Sequence, residues 1–146
     1  MRKATVFSLL ICFIFAFSGC YLDVEYEFFH DTSEIDSIEI VKISETDSEK
    51  LHYEEKVLAT VENIDIFLQE FSEIHCQEIF NDPETIEPNM TVVKVTYLNG
   101  DYEYIDYIAQ RKCYKDSLRS HNGYFILDKE PFEALIKKYT KAAEEF

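Results

Sequence analysis

The chain has 146 residues, enough for one domain with its own core. Its 22 Phe and Tyr side chains and only three Gly and three Pro exclude a low-complexity or wholly disordered polypeptide. The formal charge is −15, from 14 basic and 29 acidic residues. Such a surface repels phosphate backbones and excludes nucleic acid as a partner class.

The first element is N-terminal. Arg2 and Lys3 precede Ala4 to Phe17, 14 residues without a charge. That is shorter than the roughly 20 apolar residues of a membrane-spanning helix. It fits the apolar part of a secretory signal, followed by the small residues Ser18 and Gly19 and then Cys20. The stretch Phe17-Ser18-Gly19-Cys20 resembles the lipobox of bacterial lipoproteins. Ser18, Gly19 and Cys20 match that pattern, and Phe17 stands where an aliphatic residue is usual. The chain looks like the small, uncharacterised lipoproteins of Gram-positive bacteria, with the lipobox alone as a specific match. The resemblance implies cleavage before Cys20 and a diacylglyceryl group on its thiol. Residues 1–19 are then a signal peptide, and residues 20–146 a single extracytoplasmic domain with Cys20 as lipid anchor. Loss of Arg2 and Lys3 leaves 12 basic against 29 acidic residues, a charge of −17. A lipid tether holds such a domain at an anionic membrane where its surface charge would not.

Leu22 to Phe29 alternates apolar and acidic residues at strand period. His30 to Ser37 reads as a polar turn, Ile38 to Ile43 as a β-branched strand, and Leu51 to Val61 as a second extended segment. Ile64, Phe67, Leu68, Phe71 and Ile74 lie on one face of a helix, with Asn63 as N-cap. Residues 81–89, with Pro83 and Pro88, form a loop.

Asn99-Gly100 separates two β-rich runs and predicts a hairpin closed by a two-residue type I′ turn. That register sets Tyr97 against Tyr102 and Val95 against Tyr104 on an apolar face. Thr96 then opposes Glu103, with Lys94 diagonal to it. Gly123 to Leu127 is a last strand, and Asp128 caps a final helix that carries Phe132, Leu135, Ile136, Tyr139 and Ala143 on one face. The order predicts an α+β fold: an antiparallel sheet with two helices packed on one face.

Candidate chemistry is sparse. Cys76 and Cys113 are a candidate disulfide pair outside the cytoplasm; a bridge would close a loop worth roughly 4 kcal/mol of chain entropy. The alternative is two separate, partly buried thiols. Asp82, Glu84, Glu87 and Asn89 offer oxygens to a cation, but lack the spacing of a calcium loop. Asp101 and Glu103 share a strand face and Asp106 points away, so they form no acid/base pair. The sequence carries no phosphate loop, metal-binding His pair or nucleophile elbow, so no cofactor and no metal are expected. Together these features predict a non-enzymatic, membrane-tethered interaction domain of the cell envelope. Its partners would be the membrane, through Cys20, and an envelope protein meeting a sheet edge or an aromatic patch such as Tyr107 or Tyr114. A small-ligand or metal-binding accessory lipoprotein is the alternative.

Overall fold

The computed structural model describes residues 22–47, 52–78, 90–108, 110–114, 117–122 and 125–144. The strands are β1 (Leu22–Val24), β2 (Ile35–Asp47), β3 (His52–Thr60), β4 (Cys76–Glu78), β5 (Thr91–Tyr97), β6 (Tyr102–Ile105), β7 (Gln110–Tyr114), β8 (Ser117–Asn122) and β9 (Phe125–Leu127). The helices are α1 (Ile64–Ser72) and α2 (Lys129–Glu144). Six strands form an antiparallel sheet in the order β3-β2-β5-β6-β7-β8, and three short ones form a second sheet, β1-β4-β9. The fold is α+β, as the element order predicts.

Strand β2 lies inside the large sheet and is buried on both faces. Ile38 and Ile40 face one side and Val41 and Ile43 the other, all at 0 % exposure. Its β-branched residues suit that position, because Ile38, Ile40, Val41 and Ile43 pack on whichever face they point to, while Lys42 among them is exposed. Both helices cover the same face, where Phe67, Phe71, Phe132 and Leu135 meet Ile38, Val93, Val95, Tyr97 and Ile105. The opposite face carries a smaller cluster of Val41, Ile43, Val92, Tyr104 and Cys113. Helix α1 begins as its sequence requires: the Asn63 carboxamide oxygen accepts from the Ile66 N–H at 3.1 Å. Before α2, the Asp128 carbonyl accepts from the Phe132 N–H at 3.1 Å. The Asp128 carboxylate lies 3.5 Å from His75 Nδ1.

The β5–β6 hairpin corrects the predicted register. Observed partners are Val93↔Ile105, Lys94↔Tyr104, Val95↔Glu103 and Thr96↔Tyr102. The turn has three residues, not two. The Gly100 N–H donates to the Tyr97 carbonyl at 2.8 Å, and the Tyr97 N–H donates to the Asp101 carbonyl at 2.9 Å. Gly100 has φ 89°, the left-handed residue that completes a turn of this kind. One extra residue in the loop moves every side chain of β6 to the other face. Tyr102 and Tyr104 therefore join the smaller cluster, and Glu103 turns into the main core.

Gly100→Val should cost about 2 kcal/mol or more, because a β-branched residue resists positive φ. Urea unfolding measures this; a wild-type midpoint would argue against the turn.

The strand expected over Leu22 to Phe29 ends at Val24. Its ladder partner β4 is only three residues long, pairing Val24↔Cys76 at one end. Beyond it, residues 25–31 run as a strap outside both sheets.

Candidate functional site

The most unusual group in the molecule is the Glu103 carboxylate, at 0 % exposure on the inner face of the large sheet. Four donors converge on it. From β5 comes the Tyr97 hydroxyl, and from β7 the Gln110 carboxamide, with Nε2 2.5 Å from Oε2. The strap supplies the Tyr26 hydroxyl at 3.2 Å and the Phe29 backbone N–H at 3.0 Å. Gln110 also donates to the Glu27 carbonyl at 2.9 Å. Burying a carboxylate costs several kcal/mol, so it persists only where donors of this kind replace its water. The strap is in turn held by what it donates.

The phenols stay protonated and able to donate. Burial, reinforced by the Glu103 charge and hydrogen bond, pushes the Tyr97 and Tyr26 hydroxyls well above the usual phenol range. A second polar contact closes the far end of the strap: His30 Nε2 lies 2.8 Å from Asp101 Oδ2, which also accepts from the Asn99 amide at 3.0 Å. The His30 ring stacks on Phe29 at 4.2 Å and meets Tyr97 edge-on at 4.8 Å. Below the strap, Tyr26 and Phe28 contact Phe71 of α1 at 5.2 and 5.5 Å.

The sequence-predicted residues fall elsewhere. Cys20 and the loop 81–89 lie outside the described residues. Cys76 and Cys113 are not brought together: neither is disulfide-bonded, and they lie in separate clusters on opposite sides of the large sheet. Of the two readings open for these cysteines, the structure has the two separate thiols. Burial raises the Cys76 thiol to about 11, so it is a poor nucleophile. Asp101 and Glu103 point toward the same side, as predicted, but serve different contacts. Tyr107 is half-buried with the Lys129 ammonium 4.9 Å from its ring centre. Among the described residues no group of three or more His, Cys, Asp or Glu is arranged to hold a metal ion.

The role of Glu103 escaped the sequence reading because "YEYI" is apolar in both phases: Tyr102 and Tyr104 in one, Ile105 in the other. Asn99-Gly100 favours a two-residue turn, although a three-residue turn also takes Gly at its left-handed position.

On the other side of the strap a groove of about 740 Å³ opens toward α1, with Val24, Phe28 and Leu68 along it. A second groove of about 520 Å³ lies along α2, where Phe132 and Ile136 meet Met90, Tyr107 and the buried Asp106. What these features define is a mixed α+β domain whose N-terminal strap is clamped across three strands by one buried carboxylate. No protein-family model, curated protein or solved structure matches the chain.

Proposed function

We propose that the chain is a bacterial cell-envelope lipoprotein whose folded part is a non-enzymatic interaction domain. Residues 1–19 are removed on export, Cys20 carries the lipid, and residues 20–146 lie on the outer face of the cell membrane. The observation that carries this reading is the uncharged run ending in Phe17-Ser18-Gly19-Cys20, just ahead of β1 at Leu22. Two or three acyl chains at about 0.8 kcal/mol per buried CH₂ supply a stable hold that a −17 surface cannot. Among the described residues no helix is long and apolar enough to cross a membrane. The use of Glu103 as an internal clamp supports a binding domain over a catalytic one, since its oxygens are engaged by the protein's own donors.

Cys20→Ser should abolish labelling by a fatty-acid probe and release the protein from the membrane fraction. Labelling at the wild-type level would sink the assignment.

A small-ligand accessory lipoprotein is the second reading. The α2 groove favours it, since about 520 Å³ falls within the range of small-molecule sites, about 300–1,000 Å³. A small molecule that raises the melting temperature, with the effect lost in Ile136→Asp, would support it.

A further inference from the structure

We infer that the groove between the strap and α1 binds a cationic amphipathic peptide segment at the membrane surface. The inference rests on the lipid-anchored reading above and names the partner of that domain.

The groove has two chemistries. Its floor is apolar, formed by Val24 and Phe28 from one wall and Leu68 and Ile74 from the other. Val24, Phe28 and Leu68 are only half-buried, so an occupant would remove further apolar surface from water. Its rim carries the exposed carboxylates Glu25 and Glu73, one on each wall. Among the described residues lining it there is no lysine or arginine. The histidine on this rim, His75, lies against the Asp128 carboxylate. An apolar floor between acidic rims fits a segment with apolar residues on one face and Lys or Arg on the other, docking as a helix in a groove. The −17 charge of the whole domain acts in the same sense, attracting cationic segments and repelling acidic ones.

The anchor adds a second reason. Three residues lie between Cys20 and Val24, so the Cα atoms of the anchor and the groove wall are at most about 14 Å apart, whatever path the chain takes. Cationic amphipathic segments gather in this layer. Anionic head groups attract their charges, and their apolar face sinks about 5–10 Å into the head-group boundary. Tether and groove thus address the same class of molecule. The tether brings the domain to the surface where such peptides concentrate, and the groove offers them an alternative to the bilayer.

The test uses the full lipidated protein in phosphatidylcholine nanodiscs, with labelling of Cys20 checked first on the same preparation. A titration that fails on lipidated protein then counts against the groove alone. The probe is a fluorescent Leu/Lys peptide of about 18 residues, five helical turns, with Leu on one face. Anisotropy is read against empty discs at near-physiological salt. The expected result is saturable binding of one peptide per domain. The double charge reversal Glu25→Lys with Glu73→Lys should weaken it about tenfold or more, by turning two rim attractions into repulsions. A matched reversal at the exposed Glu54 and Glu133, neither of which lines this groove, should change it by no more than about twofold, because salt screens distant charge. Three results would overturn the inference: no saturable binding above the empty-disc baseline, equal weakening by both reversal pairs, or equal binding of the same peptide with every Lys replaced by Glu.

Discussion

Replacing Glu103 with alanine should lower the stability of the domain by about 4 kcal/mol. The side chain is wholly enclosed, and its removal does more than leave a small void. It strands the hydroxyls of Tyr26 and Tyr97, the Phe29 N–H and one proton of the Gln110 amide, all of which the carboxylate satisfies. Each orphaned buried donor costs about 1–3 kcal/mol, less whatever local relaxation recovers. Glu103→Gln should cost less, about 1–2 kcal/mol, because the amide keeps the shape and one acceptor oxygen while its NH₂ faces groups that also donate. The two tyrosine hydroxyls can rotate to accept from it; the Phe29 N–H cannot. Urea unfolding of the three proteins gives the order. Hydrogen exchange at the Phe29 amide gives the location, and it should speed up in the alanine variant before the sheet opens. An alanine variant within about 1 kcal/mol of the wild type would show that the clamp is dispensable.

The second large effect is expected at Phe71, which is 2 % exposed. Its ring meets Tyr26, Phe28, Phe67 and Phe132 at centroid distances of 5.2 to 6.5 Å. It is therefore shared by the strap, α1 and α2. Phe71→Ala should cost about 3–5 kcal/mol, the sum of lost transfer energy and the cavity that stays open. Against a typical stability of about 5–15 kcal/mol this leaves a marginal fold. Leu68→Ala, about one helical turn away and only half-buried, should cost about 1 kcal/mol, since fewer of its contacts are closed to water. Thermal melts of the pair separate the two cases. A smaller loss at Phe71 than at Leu68 would mean that the strap does not rest on α1 as described.

Much of the fold was readable in advance wherever the signal was local. The apolar face of α1 follows from its 3.6-residue period, and Asn63 is at its cap because a side-chain oxygen there satisfies an N–H that the helix leaves over. The strand over Ile38 to Ile43 follows from its β-branched residues, and the structure buries Ile38, Ile40, Val41 and Ile43 of it. Helix α2 behaves likewise: Phe132 and Leu135 are buried, Ile136 and Tyr139 are half-buried, and Ala143, at the end of the same stripe, is exposed. The α+β class follows from the order of such segments.

The site was not readable in this way. Three short strands, β4, β7 and β8, give too few residues for a period to show. The alternation from Leu22 to Phe29 is real, but only tertiary packing decides that it is a ladder for three residues and a strap thereafter. Tyr26 and Phe28 keep the inward direction that strand period predicts, and they find Phe71 and Glu103 instead of a neighbouring strand.

The sequence by itself determined the acidic balance, the lipobox-like segment ending at Cys20, both helices with their apolar faces, the strand over Ile38 to Ile43 and the presence of a hairpin at Asn99-Gly100. Each depends on residues close together in the chain, where propensity, period and turn chemistry act. Only the tertiary structure decided the register of that hairpin, and with it which face of β6 became the core. Local turn chemistry at Asn99-Gly100 favours a two-residue turn, so the three-residue turn owes its selection to contacts elsewhere. The choice between them is made by Tyr26 and Phe29 of the strap, more than 70 positions from Glu103 in the chain, which supply half the donors that let a carboxylate replace a tyrosine on the inner face. Cys76 and Cys113 belong to the same lesson: two thiols that composition could have paired are assigned to separate clusters by the sheet that stands between them.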